Sequence, residues 1–231
     1  MKTIGLIGGM SWESSAVYYK LINTKVKELL GGFHSAKSIM ISVDFAEIEK
    51  YQHENNWEAL DNLMVNAAKK LELAGADLVV LCTNTMHLCS DKIVKNISIP
   101  FLHIAEATGK EIVKNNFQKV ALLGTKFTME KDFYKQLLVE KFGIEVITPS
   151  LNERELVHKI IYNELVLGKI TNESKEIFKK IISNLEKRGA QGVILGCTEI
   201  PLLISDSDVN IPTFNTAKIH AEQAVEMALK N

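Results

Sequence analysis

The chain of 231 residues lacks an excess of basic charge, long apolar runs and a signal-peptide pattern. Its 27 lysines and arginines are nearly balanced by 28 aspartates and glutamates, and no basic block is present. This charge pattern argues against nucleic acid or an anionic membrane as a partner. No apolar run is long enough to cross a bilayer, and the first residues lack the long apolar stretch and cleavage site of a signal peptide.

Cysteine is also scarce. The three cysteines, Cys82, Cys89 and Cys197, are odd in number and show no CxxC spacing, which argues against a disulfide framework or a zinc ribbon. Such a set favours a reducing compartment, so we expect a cytoplasmic protein. The six histidines include no HExxH pair, and the sequence therefore predicts no metal site. A hydrophobic content of 46% still allows a substantial core.

Strand-like apolar runs alternate along the chain with amphipathic helical patterns. The run at 3–7 leads through glycines into a helical pattern that stops at Gly31 and Gly32. A later helical pattern stops near Gly75 and is followed by the apolar run at 78–82. Continuous apolar strands joined by helices favour parallel pairing with both faces of the sheet covered. The pattern predicts an α/β fold.

The second half of the chain resembles the first half at three places, in the same order. The matched segments are 2–11 with 119–128, 75–85 with 189–199, and 98–113 with 210–225. The Gly-Ala pairs before the strands and the Ile-Pro pairs after them recur together, which indicates an internal duplication rather than a chance likeness of two βα units.

A duplication predicts two pseudo-symmetric domains, each a short parallel sheet flanked by helices. We expect the first domain to comprise 1–98 plus 210–231 and the second to comprise 99–209. Ligands of open parallel sheets bind beyond the carboxyl ends of the strands. The polar residues at 83–85 and 197–199 are therefore expected to face a cleft shared by the two domains.

The overlay also decides which residue corresponds to Cys197. Cys197 lies eight residues after Gly189, and the residue eight positions after Gly75 is Thr83, not Cys82. Because successive side chains of a strand point to opposite faces, a shift of one residue reverses the direction of a side chain. The register predicts that Thr83 and Cys197 face the cleft, whereas Cys82 turns toward a covering helix.

The three thiols are therefore expected to differ in reactivity. Cys82 and Cys89 are predicted to act as small apolar residues of the core. Cys197 follows a glycine at a strand end and precedes a turn into a helix, whose N-terminal amides stabilise a thiolate. We interpret Cys197 as the reactive thiol.

Two polar motifs, Thr83-Asn84-Thr85 and Gly196-Cys197-Thr198-Glu199, carry a family resemblance, together with IGLIGGMSWESS and LLGTKFTM. Over essentially its whole length the chain resembles the aspartate/glutamate racemase family. The resemblance implies two pseudo-symmetric α/β domains, a site in the cleft, no cofactor, an acidic amino acid as substrate, and a homodimer.

The resemblance also implies a reaction. Family members place two thiols on opposite sides of the substrate α-carbon, and this chain has Thr83 at one position and Cys197 at the other. It looks closest to the subgroup with this Thr/Cys pair, which acts on L-aspartate and L-glutamate. We expect Cys197 to take the α-proton of the L-amino acid, with reprotonation from the Thr83 side, so that conversion of L to D is preferred.

Further residues are expected to bind the substrate. The family positions that match here assign this role to Met10, Gln52, Asn84, Thr85, Thr125, Thr198 and Glu199. Some aspartate racemases place an arginine where this chain has Gln52, and a neutral amide contacts the distal carboxylate more weakly than a guanidinium does. The choice between aspartate and glutamate is left open.

Two alternatives fit the same residues. A single reactive cysteine beside anion-binding donors also suits a decarboxylase or a cis-trans isomerase of dicarboxylates on this fold. A chain that lacks one of the two thiols could also bind acidic amino acids without converting them. His87 and His103 lie near the predicted cleft and are compatible either with proton movement or with a structural role.

Overall fold

The computed structural model describes residues 1–230, which form two compact units. The first unit comprises Met1–Ile104 together with the C-terminal residues from His220, and the second comprises Ala105–Ile219. The strands are β1 (Ile4–Gly8), β2 (Ser38–Ser42), β3 (Leu78–Leu81), β4 (Phe101–Leu102), β5 (Lys119–Gly124), β6 (Glu145–Ile147), β7 (Val193–Gly196) and β8 (Thr213–Asn215).

The α-helices alternate with these strands along the chain. They are α1 (Trp12–Leu30), α2 (Phe45–His53), α3 (Trp57–Leu73), α4 (Ser90–Val94), α5 (Ile104–Lys114), α6 (Lys126–Glu130), α7 (Asp132–Phe142), α8 (Leu151–Asn163), α9 (Asn172–Lys187), α10 (Ile200–Leu203) and α11 (Thr216–Leu229).

Each unit contains one four-stranded sheet in which every pairing is parallel. The strand order is β2-β1-β3-β4 in the first unit and β6-β5-β7-β8 in the second, so corresponding strands occupy corresponding places. β3 and β7 lie in the interior of their sheets and are buried along their whole length, as continuous apolar strands should be. The predicted α/β fold with two similar sheets is confirmed.

The helices α3 and α9, which precede β3 and β7, bury side chains at the same spacing. The buried residues are Leu60, Met64, Ala67, Ala68 and Leu71 in α3, and Ser174, Phe178, Ile181, Ile182 and Leu185 in α9. This i, i+4, i+7, i+8, i+11 pattern is one face of a helix, and in each unit that face packs on the sheet. The two halves thus repeat a packing pattern as well as a strand order.

The same backbone device ends both helices. Gly75 and Gly189 have φ of 91° and 92°, a region that residues with a Cβ rarely adopt. Each is followed by a buried alanine, Ala76 or Ala190, that enters the next strand. The Gly-Ala pairs found in the sequence are therefore the points at which each chain half leaves its helix and enters its central strand.

The Ile-Pro segments stay with the sheets that precede them. β4 pairs with β3 in the first unit, and β8 pairs with β7 in the second. The units consequently divide after β4 and after β8, whereas the predicted boundaries at 98/99 and 209/210 come before both strands. The physical reason is that each short segment after the proline supplies the last strand of its own sheet before the chain leaves it.

Candidate active site

The polar edge of the second unit follows β7, where Cys197, Thr198 and Glu199 lead into α10. Cys197 belongs to the same buried cluster as Val193 and Leu195, which precede it at alternate positions. Because alternate residues of a strand share a face, the thiol continues the side of the sheet that α8 and α9 cover. The fold of the second unit therefore fixes the direction of the thiol.

A carboxylate accepts two hydrogen bonds at this edge. The Sγ–H of Cys197 donates to Oε2 of Glu199 at 2.9 Å, and Oγ1 of Thr198 donates to the same oxygen at 2.8 Å. Cys197 and Glu199 are each only 8% exposed, so bulk water competes little for these groups. The thiol proton of Cys197 therefore points at a possible acceptor, the carboxylate oxygen of Glu199.

The surroundings of Cys197 favour the neutral thiol. Burial is the largest cause that raises its pKa well above the usual value, and the negative charge of Glu199 and its hydrogen bond add to the effect. The backbone amides of Glu199 and Ile200 act in the opposite direction. The amides expected to stabilise a thiolate are present, but they are outweighed. The resting group is a thiol that needs a proton acceptor.

Thr125 lies after β5, the strand that neighbours β7. Its side chain caps α6 by accepting a hydrogen bond from the amide of Thr128 at 3.3 Å. In the first unit Ser11 caps α1 in the same way, accepting from the amide of Ser14 at 3.4 Å. A cap of this kind satisfies an amide that has no partner within its own helix. Thr125 thus has a structural role beside the substrate contact predicted for it.

The polar edge of the first unit follows β3. The amide of Cys82 donates to the carbonyl of Ile7 at 2.9 Å, and the Cys82 side chain is completely buried. Thr83, the next residue, is half-buried and donates its amide to the carbonyl of Leu81 at 2.8 Å. Thr83 thus has some exposed surface, whereas the neighbouring Cys82 has none.

Strand pairing supports the equivalence of Thr83 and Cys197 independently of the sequence overlay. Leu81 pairs with Ile7 on β1, and Leu195 pairs with Leu123 on β5. Thr83 and Cys197 each follow two residues later. The two side chains therefore occupy the same position relative to their own sheets.

The other two thiols are in apolar surroundings. Burial raises the pKa of both the Cys82 and the Cys89 thiols far above the usual value, and the nearby carboxylate of Asp61 adds to the shift for Cys89. Cys89 packs in the cluster beneath α3. Both remain neutral thiols, and their surroundings are those of core residues.

The remaining predicted residues of the first unit are buried near its edge. Asn84 and Thr85 follow Thr83, and Thr85 opens a 3₁₀ turn. Met10 packs in the cluster beneath α3, and Nε2 of Gln52 donates to Sδ of Met86, which belongs to the same cluster, at 3.3 Å.

The structure thus groups the predicted residues by unit. The first unit holds Met10, Gln52, Thr83, Asn84 and Thr85, and the second holds Thr125, Cys197, Thr198 and Glu199. Among residues 1–230, no cluster of three or more His, Cys, Asp or Glu side chains could hold a metal ion. Over the same residues, no helix combines the length and apolar character needed to span a membrane.

Comparison with known proteins identifies the family. A family model described as Asp/Glu/hydantoin racemase matches residues 7–224, which is nearly the whole chain. The chain belongs to this family. Among curated racemases, the broad-specificity amino-acid racemase RacX of Bacillus subtilis is 22% identical, over 98% of each chain. A glutamate racemase of Fusobacterium nucleatum is 29% identical over 58% of this chain and 49% of its own length.

Solved structures of racemase relatives match the complete chain. A provisionally assigned Asp/Glu racemase from Yersinia pestis is 50% identical, with a TM-score of 0.94 and full coverage of both chains. An aspartate racemase homologue from Pyrococcus horikoshii is 38% identical, with a TM-score of 0.85 and again full coverage of both. The resemblance stated from the motifs is confirmed at the level of the family.

Sequence reasoning left the roles of His87 and His103 open, and the structure places His87 against Thr83. Nδ1 of His87 lies 2.7 Å from the carbonyl oxygen of Thr83, and Nε2 accepts the amide of Ile104 at 3.1 Å. His87 is completely buried, and its ring lies 4.7 Å from that of His103. The spacing of four residues between Thr83 and His87 was the available signal, since a turn after a strand brings such residues together.

Proposed function

We propose that this racemase converts L-aspartate, L-glutamate or both to the D-form without a cofactor. The family relationship supports racemisation of amino acids as the class of reaction. The single observation that carries the finer proposal is the Cys197 thiol donating to the buried carboxylate of Glu199 at 2.9 Å. A buried thiol with a fixed proton acceptor is the equipment required to abstract a proton from carbon.

The first step uses that pair. Glu199 accepts the thiol proton of Cys197, and the resulting thiolate removes the α-proton of the L-amino acid, which leaves the electron pair on the substrate. The amides of Glu199 and Ile200, which act to lower the pKa of the Cys197 thiol, stabilise the negative sulfur during this step. Glu199, expected from the family positions to bind substrate, is thereby assigned to the thiol instead.

The second step returns a proton on the opposite face of the α-carbon. We assign this face to Thr83, whose position relative to its sheet matches that of Cys197. A threonine hydroxyl is a weak acid, so it donates only as it takes a proton from water. The hydroxide that this leaves is neutralised by the proton that Glu199 took from Cys197, which returns Glu199 to a carboxylate. The thiol is deprotonated by a neighbouring carboxylate, whereas the hydroxyl depends on water. We therefore propose that kcat is higher from L to D than from D to L, while kcat/KM is equal in the two directions because enantiomers have equal free energies.

Carboxylate recognition completes the proposal. Asn84, Thr85 and Thr198 match the family positions for the α-carboxylate. We propose that their donors stabilise the negative charge that develops when the α-proton leaves, the Thr198 hydroxyl turning from Glu199 to the substrate carboxylate. Gln52, held beside Met86, is proposed to contact the distal carboxylate. A neutral amide at this position permits both aspartate and glutamate.

The assembly and compartment follow as smaller proposals. We propose a homodimer, and the exposed side chains of Trp12, Tyr19 and Phe33 in the first unit provide apolar surface for a contact between subunits. All three cysteines are unpaired, which supports a reducing compartment such as the cytoplasm. Sedimentation of the purified protein over a range of concentrations would test the dimer.

The decisive experiment follows solvent deuterium into the α-position of each enantiomer of aspartate and glutamate. We expect deuterium to enter the L-enantiomers faster and deuterated D-product to accumulate. Faster exchange of the D-enantiomers would reverse the assignment of Cys197 and Thr83. Ligand-dependent stabilisation without any exchange would replace the racemase by a binding protein, and turnover of a malonate or maleate would replace it by a decarboxylase or a cis-trans isomerase.

A further inference from the structure

The ring of His87 is committed to two backbone groups, and this fixes where its proton lies. A backbone amide only donates, so Nε2, which receives the Ile104 N–H, carries no proton. The neutral ring then bears its hydrogen on Nδ1, which donates to the carbonyl of Thr83 at 2.7 Å. Neither nitrogen is left to carry a proton to or from a substrate.

The environment keeps the ring in this neutral form. Burial is the main cause that lowers the pKa of His87 well below its usual value, and the neighbouring His103 and His220 lower it further. His220 lies 5.6 Å away between ring centres and is itself held by two bonds, accepting from Tyr18 and donating to the carbonyl of Leu102. His87 therefore acts as a rigid link rather than as an acid or base.

We infer that His87 is a positioning residue for Thr83, holding the carbonyl of Thr83 through Nδ1–H while Nε2 anchors the ring on the amide of Ile104. The inference rests on the proposed function, because it assigns a consequence to the orientation of the Thr83 hydroxyl. The Thr83 amide is bonded to Leu81 and its carbonyl to His87, so the peptide groups on both sides of the side chain are restrained. Loss of either restraint lets the hydroxyl move from its productive direction.

Two substitutions separate the two bonds of the ring. In His87→Asn the side-chain amide occupies the place of Nδ1 and can still donate to Thr83, whereas the acceptor for Ile104 is lost. In His87→Gln the side-chain amide reaches the place of Nε2 and can still accept from Ile104, whereas the donor to Thr83 is lost. Both variants remove the same ring, which makes them controls for each other. Tyr18→Phe, which removes the bond to His220, serves as a control for disturbance of this buried region.

The measurement is the partition of deuterium between recovered L-substrate and inverted D-product. Deuterium that appears in recovered L-substrate requires only removal and return of the α-proton by Cys197. Deuterium that appears in D-product also requires reprotonation from the Thr83 side. We expect His87→Gln to lower inversion about tenfold relative to exchange, because a small misplacement of a reacting group has a large effect on rate. His87→Asn and Tyr18→Phe should keep the wild-type partition even where they lower thermal stability.

Each result decides the matter. A wild-type partition in His87→Gln, or an equal shift in both His87 variants, would overturn the positioning role while leaving the racemase reaction intact. Absence of α-deuterium incorporation in the wild-type protein would instead overturn the proposed function, and the positioning role with it. The two failures are distinguished by whether the unmodified chain is active.

Discussion

The two strand ends that carry the candidate catalytic side chains share a backbone arrangement and differ in chemistry. After β7, Cys197 donates to a carboxylate two residues ahead of it. After β3, Thr83 has its carbonyl held by the buried ring of His87. The contact after β7 allows the Cys197 thiol to lose its proton, whereas the contact after β3 restrains the backbone of Thr83. The comparison shows that a duplicated scaffold fixes where a side chain lies, while its neighbours decide what it can do.

The largest effect is expected from removing the thiol that distinguishes the two edges. Cys197→Ala should reduce α-proton exchange of both enantiomers by a factor of about 1000 or more, because the Cys197 thiolate is the group proposed to take the α-proton and a carboxylate is a much weaker base than a thiolate. Deuterium incorporation measured by NMR tests the expectation. The matched control is Cys82→Ala, which should leave exchange within about threefold of wild type, because a buried neutral thiol acts as a small apolar residue.

A substantial rate retained by Cys197→Ala would contradict the assignment. So would loss of activity in a well-folded Cys82→Ala variant, since the register that separates the two thiols would then be wrong.

The next effect concerns Glu199, whose carboxylate lies beside the Cys197 thiol in the second unit. Glu199→Gln keeps the shape but removes the base, and we expect kcat for L-substrate exchange to fall about a hundredfold. The substitution removes the charge of Glu199, which helps to raise the pKa of the Cys197 thiol, but burial, the largest cause, remains. Hydroxide would then have to deprotonate the thiol, and the rate should rise about tenfold per pH unit through the alkaline range.

Glu153→Gln provides the control for this change. Glu153 caps α8 by accepting from Ser150, so its loss should affect stability and not the pH profile of exchange. A Glu199→Gln variant with the wild-type pH profile would show that Glu199 is not the proton acceptor.

A smaller effect is expected when the first edge is made to resemble the second. Thr83→Cys should speed exchange of the D-enantiomer about tenfold, because a thiol is a stronger acid and its conjugate base a better proton acceptor than a hydroxyl. Thr83→Ala should slow inversion and leave exchange of the L-enantiomer close to wild type. Comparing both enantiomers in solvent deuterium distinguishes these outcomes, and equal loss of both exchanges in Thr83→Ala would place Thr83 on the Cys197 side of the reaction.

The last effect is on stability, and it should differ between the units. Burial lowers the pKa of His220 to about 3, so the folded state excludes a proton that the unfolded chain accepts below about pH 6.5. The stabilisation is fully present above that pH and is lost as the pH falls toward the folded value, by about 1.4 kcal/mol per pH unit for each such histidine. His87, with its pKa lowered in the same direction, adds to the slope.

Both histidines belong to the first unit. Hydrogen exchange at pH 7 and pH 5 should therefore show protection of the first unit falling more than that of the second. A His220→Gln variant should have a shallower loss of unfolding free energy over this range. Equal loss of protection in both units would indicate that carboxylates, not these histidines, dominate the response to acid.

The sequence allowed prediction of elements whose patterns repeat between the two halves. The apolar strand runs and the turns at Gly75 and Gly189 follow from these local patterns. The assignment of Thr83, and not Cys82, to the reaction stays a prediction. The limits of the units did not follow, because a strand as short as β4 is too brief to be recognised without its pairing partner.

Part of the site also lay beyond sequence reasoning. His87 bonds to an amide 17 residues away, and only the folded path of the chain brings Ile104 to its ring. Glu199 is two residues from Cys197, yet the direction of its carboxylate depends on a side-chain rotamer that no pattern encodes. The sequence therefore pointed to Cys197, Glu199 and His87 as residues of interest, but not to the hydrogen bonds that Cys197 and His87 make.

The matching burial pattern of α3 and α9 has a consequence for how the two edges came to differ. A pair of separate, identical chains must carry the same amino acid at equivalent positions, so a change that suits one edge is imposed on the other. Once both copies lie in one polypeptide, each can mutate without its twin. Threonine on one edge and cysteine on the other is thus an arrangement that a covalently fused repeat can hold and a symmetric pair of half-length chains cannot.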